Sequence, residues 1–131
     1  MRPRMSGILL IIVPTIEFGG TFLLSVLSGK MPQFTELQRS IFGAGHAHAG
    51  VLVILALVAQ IFMDQTQLPE TLGWAVRIGF VLAALLVSGG FFGGALGKNQ
   101  PGGLIALLWI GAVVLACSVI TLGIGLILAR T

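Results

Sequence analysis

Apolar residues in this chain come in long runs, and the polar residues collect between them. A window of about 19 residues picks out four runs, over residues 7–28, 41–63, 76–96 and 104–129. Each is close to the roughly 20 residues that a helix needs to cross the hydrocarbon layer of a bilayer. The intervening segments, 30–40, 64–74 and 97–103, hold nearly all the Asp, Glu, Lys, Arg and Pro. The expected fold is all-α, a single four-helix transmembrane domain spanning residues 1–131. There is no room for a soluble domain on either side, and the two halves show no internal repeat.

Composition supports this pattern. The chain is 56% hydrophobic and 8% charged, with a mean hydropathy of +1.08, whereas soluble domains carry about 25% charged residues. Cys117 lies alone in an apolar run, which excludes a disulfide framework and a CxxC redox pair. The net charge of +3 comes from seven Lys and Arg scattered over ends and loops. That distribution suits lipid headgroups and offers no basic patch for nucleic acid. The first run is too long for a signal-peptide core and lacks a small-x-small cleavage site, so it reads as a retained helix. No lipidation motif is present.

The expected location is the cell (plasma or inner) membrane, with both termini cytoplasmic. Arg2, Arg4, Arg77 and Arg130 then lie inside, against Lys30, Arg39 and Lys98 outside. Arg2 and Arg4 precede the first span, which usually sets orientation.

The candidate chemistry sits in Gly45-His46-Ala47-His48-Ala49-Gly50, which holds the two histidines of the chain. An ionisable side chain in hydrocarbon is costly and marks a cavity, a partner or a cofactor. Imidazole is also a common ligand for haem iron, copper and zinc. Residues i and i+2 of a helix are about 200° apart, so His46 and His48 point to opposite sides and suit two separate partners. Gly43 and Gly50 share the stripe of His46, and Ala44 and Gly45 precede His48. The small residues are expected to clear flat space beside each ring, for a porphyrin edge or for the backbone of a second helix. Arg39, seven residues before His46, is placed to hold a haem propionate. The alternative is tight helix packing on small residues, with each imidazole bonded to a carbonyl or water.

This segment resembles the Gly-His-x-His-x-Gly stretch of haem–copper oxidase subunit I. The resemblance covers six of the 131 residues. It implies that His46 matches the ligand of the high-spin haem and His48 that of the low-spin haem. The implied cofactor is haem b. Copper is the weaker candidate, because that family's copper site needs three further histidines and a tyrosine, and this chain has neither. The family's subunit has twelve helices in three four-helix arcs. The resemblance therefore implies a homotrimer in which each chain supplies one arc, with a quinone or a cytochrome as electron donor. One protomer alone is not expected to reduce oxygen.

Glu17 falls in the middle of the first run, where a carboxylate is expensive unless neutralised or paired. It is a candidate proton relay, metal ligand or hydrogen-bond partner of His46 or His48. A mid-membrane Glu in the first of four short helices also resembles the small multidrug resistance exporters. A proton-coupled exporter or metal-ion carrier centred on Glu17 is thus the second expectation, and a structural subunit of a larger complex the third. Pro14 frees the carbonyl of Leu10 and is expected to kink its helix. The glycines of the stretch from Ser88 to Gly94, with Gly111, Gly123 and Gly125, are read as sites of close helix approach. Phe91 and Phe92 are expected on lipid or a cofactor. Trp74, Trp109 and Gln60 fit interfacial anchoring or interhelical bonding, and Lys98 and Asn99 a solvated loop.

Overall fold

A computed structural model of the chain describes residues 3–129. Helices α1 (Pro3–Leu27), α2 (Glu36–Met63), α3 (Glu70–Gly94) and α4 (Ala106–Leu128) follow one another through short loops, with one 3-10 turn over Gly103–Ile105 before α4. All four are long and apolar enough to cross a membrane, as a multi-pass membrane protein requires. Arg2 and Arg130, used above for orientation, lie outside the described residues.

The helices run past their apolar windows. α2 begins at Glu36 because Thr35 caps it. The Thr35 hydroxyl accepts from the Gln38 N–H at 3.2 Å, while the Gln38 side chain accepts from the Thr35 N–H at 3.0 Å. α3 begins directly after Pro69, whose carbonyl accepts from the Gly73 N–H at 2.8 Å. Pro14 sits inside α1 without ending it. The chain turns out of α1 at Gly29, whose φ of +76° is readily adopted only by glycine.

α3 is the hub. Half of its span is buried, against 6% for α1 and 11% for α4. It packs along both α2 and α4, whereas α1 packs on α2 alone. Glycines set the α3–α4 approach. A Cβ at Gly90 would strike the backbone of Leu108, and one at Gly93 would lie 2.5 Å from the Leu104 Cβ. Gly111 is equally tight against Val87, and Gly125 against Leu68. Close approach is therefore what most of these glycines serve. Gly89 and Gly123 depart from the expectation, with nothing within 4 Å of a Cβ.

Polar clamps close both ends of the α2–α3 pair. At one end the buried Gln38 amide donates to the Ala95 carbonyl at 2.9 Å, and the Thr35 hydroxyl donates to the Lys98 carbonyl at 3.0 Å. At the other, Arg77 reaches back from α3. It donates to the Gln60 carbonyl at 2.9 Å, to Gln60 Oε1 at 3.1 Å and to Asp64 Oδ1 at 2.6 Å. The last turn of α2 has tightened to i+3 bonds, such as the Asp64 N–H to the Ile61 carbonyl, leaving the Gln60 carbonyl to Arg77. A cation there also meets the negative end of the α2 dipole. Arg77 is thus 7% exposed and inside the bundle rather than a charge spread on the membrane face.

Candidate functional site

The two imidazoles do face opposite ways from α2. His46 turns toward α1 and lies on Gly19 and Gly20; its Cε1 and Nε2 are 3.2 and 3.3 Å from where a Gly20 Cβ would stand. α1 can come this close because both positions lack side chains. His46 and Gly19, with Phe22, Leu23, Phe42 and Phe92, line a half-open pocket of about 100 Å³. Its aromatic end is an edge-to-face cluster, with Phe34–Phe42 and Phe22–Phe42 centroids 5.4 and 6.0 Å apart. Gly43 and Gly50, on the His46 stripe, face open space as expected.

His48 is exposed on the far side. Its Nδ1 lies 2.7 Å from the Ala44 carbonyl. A carbonyl can only accept, so Nδ1 donates in this contact, and in the neutral tautomer that makes it the lone pair sits on Nε2. The ring rests on Phe91 with centroids 4.7 Å apart. The flat space expected at Gly45 is already filled, since a Cβ there would lie 3.0 Å from Phe91 and 3.1 Å from the Phe92 ring. Ground beside His48 remains open on the outer face, next to the exposed Ala47 and Val51.

Arg39 and Glu17 are not drawn into this arrangement. Arg39 is half-buried and its Nε has no hydrogen-bond partner. It shares the His46 stripe and stands about 180° around the helix from His48, nine residues away. Glu17 is exposed on α1, and among the described residues no hydrogen bond or ion pair joins its carboxyl to either imidazole.

A haem ligand needs a ring nitrogen with a free lone pair and open space in front of it. His46 does not fit, because α1 covers its Nε2. A larger groove of about 310 Å³ runs between α1, α2 and α3, but its lining of residues such as Leu9, Ala49, Val53 and Ser88 offers no iron ligand. His48 does fit. Ligating histidines usually donate their other N–H to a backbone carbonyl or carboxylate, which fixes tautomer and orientation, and Ala44 does this here. Among the described residues no three His, Cys, Asp or Glu side chains gather to hold a metal ion. A centre built from several protein ligands would need more than one chain, whereas haem needs one imidazole on a face.

Gln60 bonds across helices as expected, but the buried Arg77 that it meets, and the pairing of Arg77 with Asp64, were missed at the level of sequence. The signal was present: an arginine just inside the third apolar run, following a Gln and an Asp at the end of the second. No family model, curated protein or solved structure matches the chain.

Proposed function

We propose that this is a haem b-binding membrane protein in which His48 is an axial ligand, acting in electron transfer or small-gas redox chemistry. The observation that carries the reading is the 2.7 Å contact between His48 Nδ1 and the Ala44 carbonyl, which presents Nε2 outward on an open face. Phe91 supports the ring from behind and limits its rotation. Haem supplies a one-electron redox centre when bound. The chain's part is to orient the imidazole and to keep water away with the apolar α2–α3 surface. His48 is also the position that the resemblance to haem–copper oxidase subunit I matches to the low-spin, electron-transfer haem. One chain offers one accessible imidazole, so a second protein ligand to the iron would have to come from another chain. The assembly that the resemblance implies is a homotrimer in the cell (plasma or inner) membrane, with both termini cytoplasmic and a quinone or cytochrome as electron donor; there the second ligand would come from a partner, because three imidazoles do not pair. Arg39, on the opposite side of α2, has no part in holding this haem.

The test is an oxidised and a reduced visible spectrum of protein purified from haem-replete cells. A Soret band lost in His48→Ala and kept in His46→Ala is expected. No Soret band, before or after adding haem, rejects the reading. A second reading, a proton-coupled exporter, draws on the exposed mid-span carboxyl of Glu17, which has no hydrogen-bonding partner among the described residues. Flux into proteoliposomes driven by a pH gradient would support it, and flux unchanged in Glu17→Gln would remove it.

A further inference from the structure

Few polar side chains face outward at mid-span, and most are self-satisfied. The hydroxyls of Thr15 and Thr21 donate to carbonyls of their own helix, each at 2.6 Å. Glu17 has no such bond, and His48 has one nitrogen still to satisfy. These two stand at one level. His46 packs on Gly20, which fixes the register of α1 against α2. Two residues further along α2 is His48; two residues back along the antiparallel α1 is Phe18. At 1.5 Å per residue, Glu17 is therefore within about 1.5 Å of the level of His48. Within one chain they do not meet, since His46 is the imidazole turned toward α1 and His48 points some 200° away. Copies of one sequence insert in one orientation, so side chains level in one copy are level in its neighbour.

We propose that a second copy of this chain docks its α1 on the outer face of α2, where the Glu17 carboxyl meets Nε2 of His48. One proton is shared between a carboxyl oxygen and the ring nitrogen, so the pair is neutral overall and satisfies two groups that hydrocarbon leaves costly. The contact joins two different faces, so copies add head to tail. This goes beyond the haem reading and does not rest on it. Iron would claim the same nitrogen, so the contact belongs to haem-free copies.

The test uses full-length chains carrying Cys117→Ser. Glu17→Cys and His48→Cys are placed on differently tagged copies, co-expressed and oxidised in haem-depleted membranes. A mixed-tag disulfide dimer well above the level of an off-level control is expected, because helices docked at this level bring the two cysteines within reach of each other through small helix motions. Leu10→Cys with His48→Cys, about 12 Å off level at 1.5 Å per residue, should give none. In chains with neither cysteine, energy transfer between tagged copies should show association weakened about tenfold by Glu17→Leu, the size of one interhelical hydrogen bond. A mixed dimer no stronger than the Leu10 control, or association unchanged in both Glu17→Leu and His48→Leu, overturns the proposal. A missing Soret band leaves these readouts standing, and a missing cross-link leaves the spectrum standing.

Discussion

Arg77 has the largest calculable effect of any single side chain here. Its guanidinium joins the Gln60 carbonyl, the Gln60 amide oxygen and the Asp64 carboxylate, and it is almost fully buried while Asp64 keeps a 31% exposed side chain. Truncation to Ala leaves Gln60 buried without its donor and removes the guanidinium from Asp64. We expect Arg77→Ala to cost about 2–3 kcal/mol, at the lower end of a broken buried pair because Asp64 is partly solvated. Arg77→Lys keeps the charge but cannot fork to both partners, and should cost about 1 kcal/mol. Unfolding in mixed detergent micelles, followed by circular dichroism, checks both; equal stability of wild type and Arg77→Ala would show that the network adds nothing. At this scale the sequence was only partly legible. The i, i+2 spacing dictated that His46 and His48 diverge. Which of them stays accessible depended on α1, whose Gly19 and Gly20 cover one ring, and on a carbonyl one turn before the other. Arg77 was read as a topological charge because spacing alone does not tell whether an arginine at a span edge turns outward or inward.

Among the elements, α3 and α4 are held by absence of side chains. Gly89 and Gly90 are neighbours in sequence with opposite surroundings. A Cβ at Gly90 meets the Leu108 backbone, and one at Gly89 meets nothing within 4 Å. Ala is favoured over Gly in a helix by about 1 kcal/mol, so Gly89→Ala should be neutral or stabilising by up to that amount. In Gly90→Ala the clash outweighs the propensity gain, because backbone cannot rotate away as a side chain can; a net loss of about 1–3 kcal/mol is expected. Thermal unfolding of the two variants side by side decides it, and equal shifts would contradict this packing. Hydropathy located all four helices, since each span must be apolar whatever it packs on. It did not locate their ends. Residues 36–40 and 70–75 are too polar for a hydropathy window, yet the Thr35 capping box and Pro69 start helices there. Nor could composition separate Gly90, buried against α4, from Gly89, which borders the groove.

As a whole molecule the chain is a three-helix body with a fourth helix leaning on it. Polar clamps join α2 to α3 and glycine contacts join α3 to α4, while the α1 backbone comes close to α2 alone and 6% of the α1 span is buried. The surface joining α1 to the body includes His46 against Gly19 and Gly20, and Leu9, 1% exposed, in the common core. A protease site inserted after Gly29 would free α1 from its loop while leaving every α2–α4 contact intact. After cleavage in detergent, α1 should remain partly associated with the wild-type body. Gly20→Leu should release it, because a side chain there must displace the His46 ring or the helix itself. Gly43→Leu is the matched control, carrying the same added bulk into space where no atom lies within 4 Å, and should retain α1. In all three proteins the thermal transition of the α2–α4 body should stay in place. If instead the body melts when α1 leaves, α1 is integral to the core.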